Sequence, residues 1–412
     1  MADDLKALRK RLDQLDAELI DLVAQRQATV AAIGQLKHRQ GRHLRDFERE
    51  REVLDLAHQR GQEKGLPAGL SHGLMSLLIE HSLGSQERGS LARSAVGEGR
   101  RALVIGGLGR MGRWFADFLS IQSYQVIIVD TAASAEHKST PYTLEPDWRP
   151  WVAEVDMIVV ATPMAATATI LNELANYDTE AIIFDVGSLK SPLLPGLVRL
   201  AEQKKSVVSV HPMFGPDCNM LSGKHVVLVD LGHQAALQQV SMLFEKTMAN
   251  VVVLAPEIHD RLMAYVLSLS HLFNIAFATV LANSGEEALR LRHISSTSFE
   301  AQLGVARRIA NENPEVYYEI QSLNPHAAMI RKELKRTLNQ IDAIIEKNDL
   351  HSFSQLMTTN QSYLERVNRA PSVGDEAKPS LCLFFDLCLL SYLAVELGLS
   401  NLVFKMSQLN FR

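Results

Sequence analysis

Leu103-Val104-Ile105-Gly106-Gly107-Leu108-Gly109-Arg110-Met111-Gly112 decides the fold. An apolar run enters a glycine-rich turn, and the turn opens onto Trp114, Phe115 and Phe118, spaced as one face of a helix. Gly107, Gly109 and Gly112 spell G-x-G-x-x-G. Between a strand and a helix the first glycine permits the tight turn. The second lets backbone approach a pyrophosphate, and the third lets helix and strand pack closely. The helix N-terminus adds N–H donors and a dipole suited to phosphate, and its first residues, Arg110 and Met111, are assigned to the same contact. The next apolar run, Val126–Val129, ends at Asp130, where an acid hydrogen-bonds ribose hydroxyls and repels a 2′-phosphate. NAD is therefore expected rather than NADP. A glycine turn without ligand, with Asp130 as a cap, is the alternative that the strand–turn–helix setting disfavours.

Outward from this unit, short β-rich runs recur at Ala102–Ile105, Val126–Val129, Met157–Val160, Ala181–Val186 and Val207–Val210, with Val226–Val229 and Val251–Leu254 as further candidates. Helical stretches or loops separate them, the alternation of a parallel sheet with crossover helices. Ligands bind beyond the carboxyl ends of such strands. Thr162, Ser188, Lys190 and His211 follow successive runs there and are expected to meet beside a nicotinamide. His211 is the candidate base, because imidazole takes a proton near neutral pH; the alternative is a plain loop histidine before Pro212. Ser188 would orient it or touch substrate. Lys190 would bind an anion or support the loop.

The 412 residues are 47% hydrophobic and 22% charged with a formal net charge of −5, which excludes a mainly disordered chain and argues against a generally basic nucleic-acid binder. Cys218, Cys382 and Cys388 make neither a disulfide framework nor a C-x-x-C zinc pair. No metal is expected. A reducing compartment fits, and the N-terminus lacks a signal-peptide core, so a cytoplasmic protein is expected.

Upstream, Leu5, Leu8, Leu12, Leu15, Leu19 and Leu22 recur every three or four residues, a helical seam running to about Lys37. Gly41 ends it, Asp46 caps a second helix, and a third spans about Pro67 to Gln86. Such faces call for a second copy of the chain, hence a homodimer. The next seam position is Arg26, and a cation on an apolar stripe requires an anionic partner. Lys37 returns to nearly the same angle about three turns on. Arg9 points elsewhere, as if into a partner subunit. Glu50 shares a face with Val53 and Leu54, with Arg49 beside it; Ser82 and Gln86 prolong the Leu74/Leu78 stripe. A cationic pocket for a small polycarboxylate and a coiled-coil arm with ion pairs both fit.

Residues 85–100 read as a linker. From about Ile258 the chain is helical again. Leu262 to Ala282 is apolar enough to mimic a membrane span, but Ser268, Ser270, His271 and Asn274 favour a fully buried helix in a dimer core. One amphipathic stretch runs from Arg331 to about Arg369, and 370–380 is a second linker. Asp386 and Glu396 inside the apolar tail 381–412 argue for packing on protein rather than a membrane anchor. The expected architecture is multidomain: an all-α region over 1–90, a linker over 91–100, an α/β Rossmann domain over 101–255, an all-α substrate and dimerisation domain over 256–369, then linker and tail over 370–412.

Taken together these motifs resemble the bifunctional chorismate mutase/prephenate dehydrogenase family, the T-proteins of tyrosine biosynthesis, over roughly residues 3–368. Arg9 in ALRKRLDQLD, Arg26 in VAQRQ, Lys37 in GQLK, Asp46-Phe-Glu-Arg49-Glu50, and Ser82 with Gln86 match the mutase motifs. VIGGLGRMGRWF, DVGSLK and HPMFGPD match the dehydrogenase motifs. The resemblance implies an intertwined helical dimer that rearranges chorismate to prephenate, and an NAD-dependent oxidative decarboxylation of prephenate to 4-hydroxyphenylpyruvate. It implies that Arg9 of the partner, Arg26 and Arg49 hold carboxylates, that Lys37 and Gln86 donate to the ether oxygen, that Glu50 binds the ring hydroxyl, and that Asp46 and Ser82 complete the pocket. His211 would deprotonate the C4 hydroxyl and Ser188 would bridge His211, substrate and nicotinamide. Arg308, or its neighbour Arg307, would bind the ring carboxylate. His271 matches a position linked to substrate and to feedback by tyrosine, against the alternative of a core residue, and His259 is a lesser candidate. Glu300 departs from the arginine of many relatives. The rivals are a hydroxy-acid dehydrogenase with a helical dimerisation arm, and a cofactor-retaining regulatory protein.

Overall fold

The computed structural model describes residues 2–40, 45–93, 95–133, 140–245 and 247–369. They belong to two compact units, 1–346 and 347–412. In the first unit, α1 (Ala2–Arg39), α2 (Phe47–Glu63) and α3 (Ala68–Arg93) form a helical region in which α3 packs on both α1 and α2. The 38 residues of α1 make a rod about 57 Å long. Asp46 caps α2 as expected, its carboxylate accepting from Arg49 N at 3.0 Å. At the α1–α3 crossing Gly34 admits Gln86: a Cβ there would stand 2.9 Å from Gln86 Cγ. The leucine seam is not covered within one chain, since Leu5, Leu8, Leu12, Leu15, Leu19 and Leu22 expose between 45% and 68% of their surface.

The expected linker over 85–100 is corrected by α3, which continues seven residues past Gln86. Its last turns bury Glu87, Ser90 and Leu91. Glu87 accepts from Leu221 N and Met248 N, each at 2.8 Å, Arg88 donates to Asn219 O at 3.3 Å, and Arg45 donates to the Ser222 hydroxyl. Tertiary contact thus overrides a composition of small polar residues.

Next comes one eight-stranded sheet: β1 (Arg101–Ile105), β2 (Gln125–Val129), β3 (Thr143–Glu145), β4 (Met157–Val160), β5 (Ile182–Asp185), β6 (Val207–Pro212), β7 (His225–Val229) and β8 (Asn250–Leu254), in the order β3-β2-β1-β4-β5-β6-β7-β8. Alternate residues of each strand enter opposite cores. Ala102 and Val104 join Phe115, Phe118, Val240 and Phe244 on the face covered by α4 (Arg110–Ile121) and α7 (Gln234–Glu245). Leu103 and Ile105 join Leu171, Leu174, Leu197 and Leu200 under α5 (Met164–Leu174) and α6 (Leu194–Glu202). Two strand expectations need correction. His211 lies within β6 rather than after it. The sheet is not wholly parallel, because β6 and β7 pair antiparallel: residues 213–224 between them contain no helix and cannot make a crossover.

The helical region beyond the sheet comprises α8 (Pro256–Met263), a π-helical stretch (Ala264–Leu269), α9 (Ser270–Asn283), α10 (Ala288–His293), α11 (Thr297–Ala310), α12 (Pro314–Ser322) and α13 (Ala327–Glu346). Pro256–Asn283 is long and apolar enough to cross a membrane by length and composition. The fully buried helix expected there is not found in the single chain. Packing on α11 buries Asn274, whose side-chain carbonyl accepts from Gln302 Nε2 at 2.8 Å, while Tyr265, Val266, Phe273 and Val280 remain exposed. The second unit contains α14 (Leu350–Arg369), so the amphipathic stretch from Arg331 to about Arg369 holds two helices, α13 ending at Glu346 and α14 beginning at Leu350. Asn348 adopts φ +52° in the break, and Asp349 caps α14 through Ser352 N at 3.0 Å. The expected linker 370–380 and tail 381–412 lie outside the described residues.

Candidate active sites

The glycine turn has the shape a dinucleotide requires. Gly106, which lies outside the three-glycine pattern, takes the left-handed φ of +83°, and a Cβ on it would stand 2.6 Å from Ala161 O. The strained position is therefore Gly106 rather than Gly107. A Cβ on Gly107 would stand 2.4 Å from Ile128 Cγ2, and one on Gly112 2.1 Å from Gly106 O, so these glycines permit close packing. Gly109 is the N-cap of α4, and a Cβ there would meet only Gly106 O and Ala161 O, leaving backbone N–H groups accessible. Asp130, just past β2, accepts from Leu108 N at 3.1 Å and Ala132 N at 3.0 Å, each oxygen keeping a lone pair for a ribose hydroxyl. Thr162 follows β4, its hydroxyl 2.8 Å from that of Thr167. Arg110 is committed elsewhere, to Asp217 at 2.9 Å and Glu312 at 2.8 Å. Met111 packs partly buried against the α4 core.

Three strands from β1, across β4 and β5, β6 brings His211 to the same carboxyl edge, about 14 Å away at ordinary strand spacing. His211 is 3% exposed, so it is no solvent-facing loop residue. Its Nδ1 lies 3.0 Å from Nε2 of His259, and Nδ1 of His259 lies 2.7 Å from Asp260 Oδ1. Asp260 also accepts from Lys190 N at 2.9 Å and Ser191 N at 2.7 Å, binding α8 to the loop after β5. Burial pushes the pKa of both imidazoles down, His211 furthest, with neighbouring positive groups adding to it. The Asp260 carboxyl is held far below the usual range by hydrogen bonds from His259 and Ser191 that outweigh its own burial.

Lys190 supports the loop; the anion-binding alternative is corrected. It has no exposed surface, and its ammonium donates to Asp185 Oδ2 at 2.7 Å, Gly187 O at 2.7 Å and Val210 O at 2.9 Å. Burial lowers its pKa while Asp185 opposes the shift. Ser188, partly exposed, sits on the loop these bonds pin. On the helical side Arg308 is exposed on α11. His271 packs edge-on against Tyr317 with ring centres 4.5 Å apart, and its buried Nδ1 has no hydrogen-bond partner among the described residues. Burial, then Arg308, push its pKa down to about 4. Glu300 caps locally, accepting from the Ser295 hydroxyl at 2.6 Å.

In the N-terminal helices Arg26 Nη1 donates to Ser82 Oγ at 2.7 Å and Leu78 O at 3.2 Å, and Ser82 donates to Gln27 Oε1 at 3.2 Å. Burial lowers the Arg26 pKa, though a guanidinium stays charged. Gln86 Nε2 donates to Val30 O at 3.1 Å. Lys37 is half-buried on the same helix. Arg26, Ser82 and Gln86 line one α1–α3 crossing. Glu50 is held at both oxygens by Arg45, at 3.0 and 3.1 Å, an arginine the sequence reading passed over. Arg9 and Arg49 lie on exposed surface, and Arg49 pairs with Glu52 at 2.7 Å rather than facing Arg26. Asp260 and Glu87 are likewise absent from the sequence reading, and His259 enters it only as a lesser candidate. The only local signals were an adjacent His-Asp pair opening a helix and a carboxylate beside Gln86.

Comparison with known proteins finds three family matches along the chain. Residues 8–87 match the chorismate mutase type II family, 118–253 the prephenate dehydrogenase nucleotide-binding domain, and 255–359 the prephenate dehydrogenase dimerization domain. The T-protein of Enterobacter agglomerans is 26% identical over 383 residues, covering 92% of this chain and 95% of that protein. The T-protein of Haemophilus influenzae is 24% identical over 350 residues, covering 85% and 89%. The prephenate dehydrogenase of Aquifex aeolicus, solved with hydroxyphenyl propionate and NAD+, shares the fold at a TM-score of 0.52 and 19% identity over 65% of this chain and 98% of that one. With a mutase-type helical region, a nucleotide-binding sheet and a dimerisation domain in this order along one polypeptide, the chain belongs to the bifunctional chorismate mutase/prephenate dehydrogenases of tyrosine biosynthesis.

Proposed function

We propose that the two reactions use the residues just described, the helical crossing taking chorismate and the sheet edge taking prephenate with NAD+. At the crossing, Arg26 keeps Nε and Nη2 without a protein partner among the described residues, suited to a carboxylate fork. Arg49 and, from the partner, Arg9 supply the remaining cations. Lys37 and Gln86 donate to the ether oxygen, where charge grows as the C–O bond breaks, and Glu50, Asp46 and Ser82 complete the enclosure. The pericyclic step needs no base; orientation and charge stabilisation carry it.

At the sheet edge the turn residues Gly107, Gly109, Arg110, Met111 and Gly112 with Asp130 and Thr162 hold the dinucleotide, and Arg110 exchanges one carboxylate for phosphate. NAD+ accepts the hydride leaving C4 of prephenate. His211 takes the C4 hydroxyl proton as the C–O bond becomes a carbonyl. The ring carboxylate departs as CO2, its electron pair closes the aromatic ring, and His211 returns the proton to the phenolate. Arg308 and His271 grip the substrate, and His271 also relays feedback by tyrosine. Ser188 sits between base and substrate. A homodimer supplies Arg9 and covers both the leucine seam and α9, and the compartment is cytoplasmic.

The observation that carries this reading is the buried imidazole of His211 at the sheet edge that carries the glycine turn. The test pairs two variants. His211→Asn is expected to cut prephenate oxidation about 10²–10⁴-fold and spare the mutase. Arg26→Ala is expected to abolish the mutase and spare oxidation of supplied prephenate. Unchanged NADH production by His211→Asn overturns the base assignment.

A further inference from the structure

We infer that His259, held by Asp260, is a positioning residue that fixes the tautomer of His211 and makes Nε2 of His211 the atom that receives the substrate proton. The inference rests on the reading of His211 as the base and adds to it which nitrogen acts and what sets it.

The assignment follows from counting donors. Asp260 accepts three hydrogen bonds, from Lys190 N, Ser191 N and His259 Nδ1. An ionised carboxylate only accepts, so the proton in the 2.7 Å contact belongs to Nδ1 of His259. His259 has no exposed surface and stays neutral, so its Nε2 carries a lone pair. At 3.0 Å from that lone pair, Nδ1 of His211 must donate. A neutral imidazole has one proton, so Nε2 of His211 is bare. The wrong tautomer would present an N–H to the substrate hydroxyl, and a base cannot act through it.

The chain also places the charge. When Nε2 of His211 accepts the hydroxyl proton, the ring becomes cationic in a site that burial makes hostile to cations. The Lys190 ammonium adds to that repulsion, and the Asp260 carboxylate opposes it. Nδ1 of His211 can pass its proton to Nε2 of His259, whose other nitrogen already faces the Asp260 carboxylate. The positive charge then rests one ring further in, beside its counter-ion, and reverses when the phenolate reclaims a proton. No proton is gained or lost over the cycle. A histidine that merely filled the core would need neither the carboxylate behind it nor the imidazole in front.

The test uses the full chain labelled with 15N-histidine, with His211→Asn identifying the His211 signals. In the unsubstituted protein at neutral pH, both His211 and His259 are expected to be protonated at Nδ1 and bare at Nε2. In His259→Leu and His259→Phe, which offer no acceptor to Nδ1, the His211 signals are expected to move toward the Nε2–H form. Turnover with prephenate is expected to fall about 10–10³-fold, less than the loss tautomer inversion causes in serine proteases. The KM for prephenate should be nearly unchanged, and mutase activity, which reports folding, should be retained. An Nε2–H tautomer on His211 in the unsubstituted protein overturns the inference, and that measurement stands even where a variant fails to fold. Unaltered turnover and tautomer in both His259 variants overturn it too. Where His211→Asn is inactive and the His259 variants are not, only the inference fails; an active His211→Asn removes the base itself.

Discussion

His211 and His259 are two buried imidazoles, and this gives their residue-scale chemistry a measurable signature. Both are pushed below the ordinary histidine range by burial. Between about pH 6.5 and their folded pKa values the unfolded chain binds protons that the native chain refuses. Their contribution is therefore present above about pH 6.5 and is lost as the pH falls, by up to about 1.4 kcal/mol per pH unit for each site. Thermal unfolding should accordingly decline from pH 7 to pH 5.5, with a shallower slope in His211→Asn; equal slopes would contradict the shifts. At this scale position was legible and direction was not. The end of each strand located Ser188, Lys190 and His211, because a parallel sheet gathers its carboxyl ends. Strand spacing cannot tell an outward amine from an inward one, so the sequence allows Lys190 both anion and loop, and its three inward bonds decide for the loop. Asp260 was hidden because Lys190 and Ser191, two of its three partners, lie about seventy residues away in sequence.

At the scale of elements, α3 serves two regions with adjacent residues. Ser82 and Gln86 face α1, while Glu87 caps two backbone N–H groups of the sheet domain. Glu87→Ala would leave the amides of Leu221 and Met248 buried without acceptors, at a cost of about 2–4 kcal/mol. Hydrogen exchange at those two amides should accelerate and the chain should unfold in less denaturant; unchanged protection would show that the clasp contributes nothing. The sequence misjudged the end of this helix for a physical reason. Residues 87–93 bury polar groups against another domain, so no apolar period marks them. By contrast α1 was legible throughout, since an uninterrupted leucine seam needs no tertiary context to be read as a helix. Strand β3 was invisible for the opposite reason: one exposed and two half-buried edge residues carry no pattern.

For the whole molecule, the exposed seam of α1 and the exposed face of α9 are surfaces that one chain leaves open and that the proposed homodimer would close. Leu12→Glu combined with Leu19→Glu places two charges on the α1 surface alone. Misaligning the partner's Arg9 should cost the mutase at least about 10²-fold, while oxidation of supplied prephenate persists; equal loss of both activities would instead indicate general unfolding. The order of the regions was legible because helical period, glycine turn and alternating strands change texture at their borders. The burial expected for α9 is burial in a dimer core, and one chain alone leaves the helix open because sequence hydropathy does not say which chain supplies the cover. The central claim is that one polypeptide performs both steps in succession. Its most direct test supplies the full chain with chorismate and NAD+ and follows chorismate, prephenate, NADH and 4-hydroxyphenylpyruvate together. The expected result is one NADH and one 4-hydroxyphenylpyruvate for each chorismate consumed; untouched chorismate, or prephenate that accumulates without NADH, would contradict it.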